Sequence, residues 1–537
     1  MKKSTRFNIL IALTYAVTLI GGMYFGYKFL KDQGFKLQAY SPAPVNHQKQ
    51  KVADIIHIIN KNYVDEVNAD SLQYLPIDSL LHGLDPHSMY LPPDKAFEMA
   101  ENLEGNIEGI GVEYYILNDT LLVTNVLKDG PAFLAGIKQG DKILKVDTVA
   151  ISGKSLPRSA MIGRIKGKKG TSVQLTIARN GLNTPAILNV KRGKIAVSSI
   201  DASYLLNPET GYIRISKFGA NTEEDFIAAV KSLKTKGMKK MVIDLRDNGG
   251  GYLDAAIGLA NQFLPENKLI VYTEGKHEPR TDYFSTGGGE VEQGKLVVLI
   301  NENSASASEI FAGAMQDLDR GTIVGRRSFG KGLVQEQFNF EDGSALNLTI
   351  ARYYTPLGRN IQKSYKNGYA AYQHEVEDRL NEAEPKTKAI KNKDSLLRKA
   401  PVYTTQSGKK VYGGGGIQPD VQVKIDVAGY TKFYVTLVDK KVLSDFVLDV
   451  LTDRYTQSFV AQNLNSFTIN EADFKSLVKY IQAKGIAIDA KQLSASKELI
   501  ANDLKLMLCR YYLGDMGFYR AYNLNDPAIK QALNSLQ

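Results

Sequence analysis

Ser306 is a residue whose type and position suit nucleophilic chemistry. It lies in the sequence Asn303-Ser304-Ala305-Ser306-Ala307-Ser308-Glu309, which leaves a predicted buried strand and enters an alanine-rich helix. A serine at such a junction is exposed at the carboxyl edge of a sheet, and the amide of Ala307 points along the positive end of the helix dipole. This arrangement suits a nucleophile with an oxyanion donor beside it. A plain helix N-cap would use the same residue types, so this segment alone leaves both interpretations open.

Lys331 supplies the base that such a serine needs. It lies between Gly330 and Gly332, just before an apolar strand. Free lysine has a pKa of about 10.4, but desolvation can lower this value by several units, and the neutral amine can then accept a serine proton. Gln335 follows four residues later and could orient the amine without adding a charge that would raise its pKa. The alternative is a surface lysine in a turn.

A glycine run supplies a third element of chemistry. Gly249-Gly250-Gly251 follows the predicted strand 241–245 and opens a helix. Unhindered glycine amides form a nest that binds anions. Gly250 or Gly251 could therefore give a second oxyanion donor beside the amide of Ala307. A flexible strand-to-helix turn is the alternative interpretation.

These segments belong to an alternating pattern of strands and helices between about 200 and 425. Apolar runs at 211–215, 241–245 and 296–300 indicate buried strands, and a helical pattern follows each of them. The sequence therefore predicts an α/β core over 198–425. The Lys-rich polar segment 363–411 has little apolar periodicity and is expected to be a mobile excursion from that core.

The preceding region reads as helices and then short strands. Residues 47–96 show helical periodicity, and Gly83 to Ser88 read as a turn between helices. The strand order over 97–190 resembles a PDZ domain, in which Gly109-Ile110-Gly111-Val112 matches the loop that receives a peptide's terminal carboxylate. Free glycine amides and an adjoining strand edge suit that role. A tight bend at Gly109 and Gly111 is the plainer alternative.

Composition excludes several functional classes. The chain has 537 residues and a net charge of +10, but its Lys and Arg residues are scattered rather than arranged in a stripe, which argues against nucleic-acid binding. The single cysteine, Cys509, excludes an intramolecular disulfide and any multi-cysteine metal site. No metal or organic cofactor is implied.

The amino terminus predicts a membrane anchor. Lys2, Lys3 and Arg6 precede the uncharged stretch 7–27, which as a helix would match a bilayer core of roughly 30 Å. No small-x-small cleavage site follows. An uncleaved single-pass anchor over 1–31 in the cytoplasmic (inner) membrane, with an exported catalytic body, is therefore favoured over a removed signal peptide.

Taken together and in this order, the three segments after a PDZ-like region closely resemble the carboxyl-terminal processing (tail-specific) serine peptidases. The resemblance covers nearly all of 50–425, including Tyr353-Tyr354-Thr355-Pro356-Leu357-Gly358-Arg359 and Gly415-Gly416-Ile417-Gln418-Pro419-Asp420-Val421. Each motif is weak alone, and the combination is specific. Gly249 departs from the pattern, since many relatives carry proline there, and a looser loop is expected.

The resemblance implies a role for each residue. Ser306 would be the nucleophile, Lys331 the general base and Gln335 its orienting partner. Ala307 and either Gly250 or Gly251 would hold the oxyanion. Asp317 matches an aspartate that supports the site in relatives, although a plain salt bridge is an equally open interpretation.

Three other interpretations compete with this one. Gly325 to Lys331 fits the start of a phosphate-binding loop, but Gly332 stands where a Ser or Thr is needed, and a strand follows instead of a helix. A histidine-dependent hydrolase is disfavoured because no G-x-S-x-G elbow occurs and, of six histidines, only His277 and His374 are expected within the core. An inactive, PDZ-bearing envelope scaffold is the remaining alternative.

The sequence thus predicts a mixed α/β, multidomain serine peptidase. Its parts are expected in the order anchor 1–31, helical region 47–96, PDZ-like domain 97–190, peptidase core 198–425 and helical region 430–537. The PDZ-like domain would capture proteins or peptides with apolar carboxyl termini, and Ser306 would cleave them through an acyl-enzyme. A homo-oligomer or an adaptor partner is left open.

Overall fold

The computed structural model describes residues 47–67, 77–153, 156–381 and 400–537. The chain divides into two compact units between Ile56 and His57, inside the first helix, and all of the sheets belong to the second unit. In the described ranges, no helix is both long enough and apolar enough to cross a bilayer. The anchor predicted over 1–31 lies outside the described residues.

The helices of the described residues occur in every part of the chain. They are α1 His47–Asn62, α2 Ile77–His82, α3 Pro93–Glu104, α4 Pro131–Leu134, α5 Arg158–Ile165, α6 Thr222–Thr235, α7 Leu253–Asn261, α8 Ala307–Asp317, α9 Tyr369–Asn381, α10 Lys432–Asp439, α11 Val442–Phe446, a π-helical turn Val447–Leu451, α12 Thr452–Arg454, α13 Gln457–Asn463, α14 Glu471–Ala483, α15 Ala490–Ala495, α16 Lys497–Tyr522 and α17 Pro527–Ser535.

The strands build three sheets and two short pairs. They are β1 Met89–Leu91, β2 Asn106–Gly109, β3 Val112–Leu117, β4 Thr120–Val126, β5 Lys142–Val146, β6 Val149–Ala150, β7 Ser172–Ala178, β8 Ala186–Lys191, β9 Gly193–Ala196, β10 Ile200–Asn207, β11 Thr210–Ile215, β12 Lys240–Asp244, β13 Leu269–Glu274, β14 Thr281–Phe284, β15 Leu296–Ile300, β16 Thr322–Gly325, β17 Leu333–Asn339, β18 Ala345–Tyr354, β19 Val402–Thr404, β20 Lys410–Tyr412 and β21 Val421–Gln422.

The central sheet has the strand order β10-β11-β12-β15-β16-β21. In this sheet β11, β12, β15, β16 and β21 run parallel to one another. Strand β10, at one end of the order, is antiparallel to β11. Successive residues alternate between two apolar clusters: Met241 and Ile243 of β12 pack with helices α6 to α8, whereas Val242 packs with α17. Both faces are therefore covered, as parallel strands require. The predicted α/β core is confirmed.

A second sheet joins a strand from before residue 97 to strands of the α/β core. Its order is β1-β18-β13-β14, with β17 also paired to β18. Strand β1 follows directly on the predicted turn at residues 83–88 and pairs with β18, for example Met89 with Asn347. Residues that precede the PDZ-like region thus contribute a strand to this sheet, which the helical prediction for 47–96 did not anticipate.

The PDZ-like region is an antiparallel sheet of order β3-β4-β5-β7-β8, with β6 on β5. Its core includes Ile110 together with Met161 and Ile165 of α5. Strand β3 lies at the end of the strand order. The predicted boundary at residue 97 falls inside α3, and the next strand along the chain, β2, begins at Asn106.

The polar segment 363–411 is not the free excursion that its composition suggested. Helix α9 lies within it, and Lys363 and Tyr372 are 4% and 2% exposed. Arg379 of α9 donates to the backbone oxygens of Arg327 and Ser328, at 3.1 and 2.9 Å. The prediction was wrong for these residues because charged side chains here pair with the core instead of facing solvent.

The region 430–537 is helical, as predicted, and contacts both the PDZ-like sheet and the α/β core. Tyr115 of β3 donates to Asp445 of α11 at 2.9 Å. At the other end, Arg246 donates to Asp526 at 2.6 Å, just before α17. Cys509 is buried within the region's own apolar cluster.

Candidate active site

Ser306 lies at the turn between the central sheet and α8. The loop after β15 leads to it, and it occupies the N-cap position of α8 with φ 55° and ψ −115°. A non-glycine residue in this region stores about 1–3 kcal/mol of strain, which persists only where surrounding contacts enforce it. Ser306 itself is partly exposed, whereas every residue of α8 is buried. The hydroxyl is therefore presented on a rigid, strained turn.

Gly250 packs directly against the nucleophile. A Cβ atom at this position would lie 2.8 Å from the Cβ of Ser306 and 3.0 Å from the amide nitrogen of Ala307. Its φ is 103°, so both the space and the backbone conformation require glycine. The predicted glycine nest and the predicted nucleophile are thus neighbours.

The two predicted glycine donors differ in their partners. The N–H of Gly250 donates to Asn248 Oδ1 at 2.9 Å. The backbone around Gly251 is fixed by Phe218, whose oxygen accepts from the N–H of Tyr252 at 2.8 Å. For the N–H groups of Gly251 and Ala307, the described ranges contain no hydrogen-bond acceptor. Gly251, rather than Gly250, therefore has the amide that is available to an oxyanion.

Lys331 lies in the loop between β16 and β17. Burial lowers the pKa of its amine from 10.5 to about 8, against the opposing effect of the Asp85 and Glu309 carboxylates. At neutral pH about one such amine in ten carries no charge, far more than for an exposed lysine. The side chain is therefore suited to accept a proton.

Glu309 joins the serine turn to the lysine loop. Its Oε2 accepts the backbone N–H of Ser306 at 2.9 Å and that of Lys331 at 2.8 Å. Its Oε1 accepts the N–H of Gly330 at 2.7 Å and the hydroxyl of Ser328 at 2.5 Å. One buried carboxylate thus fixes both segments.

Burial raises the pKa of Glu309 to about 7, and its four hydrogen bonds oppose this rise. All four partners donate, so the arrangement is satisfied by the ionised carboxylate. Sequence reasoning missed this residue. The available signal was the spacing Ser306-x-x-Glu309, which is a capping-box pattern at a helix start.

Gln335 lies on β17 opposite Thr349 of β18. Its amide donates to the Thr349 hydroxyl at 3.0 Å. Across the part of the chain that the structure describes, no hydrogen bond joins Gln335 to Lys331. Its orienting role stays a prediction.

The turn at residues 83–88 brings two unpredicted groups to the site. The ring of His87 is hydrogen-bonded to the Tyr372 hydroxyl at 2.7 Å. Burial and the charges of Lys331 and Lys363 lower the pKa of His87 to about 3, so its ring is neutral. The expectation that only His277 and His374 fall within the core was therefore wrong. Asp85 is also buried in this turn, and its charge raises the pKa of the Lys331 amine.

Asp317 lies at the far end of α8 from Ser306. It forms a salt bridge with Arg359 at 2.5 Å, and both side chains are fully buried. It also accepts the N–H of Leu357 at 3.0 Å. These contacts favour the salt-bridge interpretation over a role at the reacting atoms.

The predicted carboxylate loop connects the β2–β9 pair to the first strand of the PDZ-like sheet. Gly109 ends β2 opposite Gly193, and Val112 begins β3. The oxygen of Ile110 accepts the N–H of Ala132 at 2.7 Å, and Gly111 has a φ of 79°. The structure thus joins Ser306 and Lys331 through Glu309 and packs Gly250 against Ser306 and Ala307. It places the predicted carboxylate loop elsewhere, between β2 and β3.

Comparisons with known families agree with this division. Residues 209–368 match peptidase family S41, and residues 108–190 match the PDZ domain. Residues 433–514 match a family of unknown function, DUF8443.

Individual relatives point the same way. The chain is 38% identical over 320 residues to a carboxy-terminal-processing protease of Bartonella bacilliformis, covering 59% of this chain and 73% of that protein. It is 34% identical over 355 residues to a probable CtpA-like serine protease of Staphylococcus aureus, covering 65% and 68%. The solved structure of a photosystem II D1 C-terminal processing protease aligns at 25% identity and a TM-score of 0.38, covering 72% of this chain and 95% of that one.

The two family matches and the carboxy-terminal-processing relatives define a serine-type peptidase that carries a PDZ domain. More narrowly, the chain belongs to the carboxy-terminal-processing proteases of peptidase family S41. The predicted family is confirmed.

Proposed function

We propose that this peptidase is an endopeptidase that attacks with Ser306, uses Lys331 as its general base and selects exported proteins by their apolar carboxyl termini. The observation that carries the proposal is the shared Glu309 oxygen, which accepts the backbone N–H groups of both Ser306 and Lys331. This oxygen fixes the turn that carries the nucleophile to the loop that carries Lys331. Burial lowers the pKa of that lysine to about 8.

The chemistry follows from these groups. Neutral Lys331 takes the proton of the Ser306 hydroxyl as its oxygen bonds to the scissile carbonyl carbon. The resulting oxyanion is held by the N–H groups of Ala307 and Gly251. Lys331 then returns the proton to the leaving amine, and the peptide bond breaks. Water, deprotonated by the same amine, then bonds to the acyl carbon. The ester bond to Ser306 breaks, and Lys331 returns the proton to the Ser306 oxygen.

The PDZ domain supplies tail selection. Strand β3 is at the end of its sheet, so an extended peptide can pair with its outer edge. Gly111 at the start of that edge has a φ of 79°, which turns the chain where a terminal carboxylate would meet backbone amides. The guanidinium carbon of Arg158 on α5 lies 5.6 Å from the ring centroid of Tyr114 on β3, so the start of α5 lies next to that strand.

A cleavage assay tests this function. The substrate is one poorly folded protein made in two versions, with an apolar and with a charged carboxyl-terminal tail. We expect the enzyme to degrade the apolar version faster and Ser306→Ala to degrade neither. An inactive scaffold is the alternative, and equal slow turnover by both enzymes would establish it.

The proposal also places the catalytic body outside the cytoplasm, attached through residues 1–31. Its support is the positive cluster before the uncharged stretch 7–27, whose length suits a bilayer. Protease added to intact spheroplasts should then digest the body of the full-length protein. Protection until the cells are lysed would contradict this placement.

A further inference from the structure

The turn before β1 holds a buried carboxylate whose hydrogen bonds lead towards the site. Asp85 is 1% exposed. Its Oδ1 accepts the N–H groups of His87 and Ser88 at 2.8 and 2.9 Å, and its Oδ2 accepts the Ser88 hydroxyl at 2.6 Å. A carboxylate with this many donors is fixed in one orientation.

Thr349 connects this carboxylate to the predicted partner of the base. Its hydroxyl donates to Asp85 Oδ1 at 3.1 Å and accepts from the amide of Gln335 at 3.0 Å. Its N–H donates to the Ser88 hydroxyl at 3.1 Å, and the residue is completely buried. Asp85, Thr349 and Gln335 therefore form a continuous line of hydrogen bonds across β18 to β17.

The Asp85 charge also acts on the amine of Lys331. It raises the pKa that burial lowers, and Glu309 acts in the same direction. The titratable groups that interact with this amine are Asp85 and His87 of the turn and Glu309 of α8. Asp85 itself interacts with Tyr63, which follows α1, with Tyr365 of the loop before α9, and with Tyr372 of α9.

We propose that Asp85, which precedes the PDZ domain in the chain, is a positioning residue of the peptidase site. Through the Thr349 hydroxyl it holds the amide of Gln335, and its carboxylate sets the balance between charged and neutral Lys331. The inference rests on the proposed function, in which Lys331 is the base. It gives the segment before the PDZ domain a part in the chemistry.

A purely structural Asp85 would only fasten the turn to β18. Asp85→Asn separates the two roles, because the amide oxygen retains the acceptor position of Oδ1 while the charge is lost. A structural role predicts a change in melting temperature without a change in the pH profile. The positioning role predicts that the profile itself moves.

The measurement is the rate at which a fluorophosphonate probe labels Ser306 in the full chain as a function of pH. Removing a carboxylate that raises the Lys331 pKa should move the acid-side midpoint to lower pH, by about one unit. His87, with a pKa of about 3, stays neutral in this window. Glu309 titrates in both proteins, so it does not account for a difference between them. An unchanged midpoint would overturn the proposal.

Asp65→Asn is the matched control. Asp65 lies on the same segment and binds the same strand through Arg352, at 2.8 Å, but it is half exposed and does not contact the line of hydrogen bonds. Its substitution should leave the midpoint where it is. A shift equal to that of Asp85→Asn would mean that any loosening of the segment moves the profile, and the proposal would fail.

Thr349 variants test the hydrogen-bonded link between Asp85 and Gln335 while leaving the Asp85 charge in place. They also test the positioning role of Asp85 if the Asp85→Asn variant does not fold. Thr349→Val should slow labelling at least tenfold with the midpoint unchanged, and Thr349→Ser, which keeps the hydroxyl, should restore the rate. Equal rates for the valine and serine variants would contradict the inference. If wild-type Ser306 is not labelled at all, the proposed function fails instead.

Discussion

The backbone N–H groups of Ser306 and Lys331 donate to the same atom, Oε2 of Glu309, at 2.9 and 2.8 Å. This contact joins two loops that lie in separate stretches of the chain, one at the start of α8 and one before β17. The nucleophile and the base are therefore coupled through their backbones, and Glu309 becomes the residue on which the geometry of the site depends.

Glu309→Gln should lower the labelling rate of Ser306 by roughly 10- to 100-fold. An amide keeps one acceptor oxygen but turns its own N–H groups towards donors that already point inward, and each unsatisfied buried donor costs about 1–3 kcal/mol. Labelling rates at saturating probe give the comparison. Glu302→Gln, which removes a carboxylate paired with Arg326 nearby, serves as the control. Equal losses in both variants would argue against the role given to Glu309.

Gly250→Ala should abolish activity, whereas Gly249→Ala should not. A Cβ at Gly250 would lie 2.8 Å from the Cβ of Ser306, but one at Gly249 meets no atom within 4 Å. We expect Gly250→Ala to destabilise the fold by about 1–3 kcal/mol and to displace the nucleophile. Peptidase assays and melting curves of the two variants check this. A fully active Gly250→Ala enzyme would show that Gly250 does not pack against the nucleophile in this way.

Activity should rise with pH through the titration of Lys331. Its pKa is lowered to about 8, and the neutral form is the reactive one, so the rate should fall as pH drops below that value. At pH 6 about one amine in a hundred is neutral, and the rate should be reduced accordingly. A rate that is constant between pH 6 and 9 would mean that another group is the base.

Asp317→Asn should reduce stability more than catalysis. The change breaks a fully buried salt bridge with Arg359, which costs about 3–5 kcal/mol when one partner is left unpaired. We expect a lower melting temperature, with the labelling rate per folded molecule retained at low temperature. Loss of labelling in a protein that is still folded would instead assign Asp317 to the catalytic machinery.

Much of this arrangement could be predicted from local sequence. The strands ending at Asp244 and Ile300 are apolar runs, and each is followed by small residues that suit a turn before a helix. Because parallel strands present their carboxyl ends on one edge, the glycine nest and Ser306 could be expected to meet. The structure places them in direct contact.

The parts that could not be predicted depend on contacts between distant segments. Asp85 and His87 lie in a turn that looks like an ordinary connection between helices, and their partners Thr349 and Tyr372 are 264 and 285 positions away along the chain. Similarly, Lys363 is buried because it pairs with Glu375 and lies over the ring of Phe329. Local polarity predicted solvent exposure there, and tertiary pairing prevailed.

The most direct test of the Ser306–Lys331 pair is mass-spectrometric mapping of fluorophosphonate labelling in wild type, Lys331→Ala and Lys331→Arg. The account predicts an adduct on Ser306 in the wild type, formed faster as pH rises towards 8 and beyond. Both variants should remain unlabelled, since alanine offers no amine and a guanidinium cannot be deprotonated in this range. Wild-type labelling of the arginine variant, or an adduct on a different serine, would contradict it.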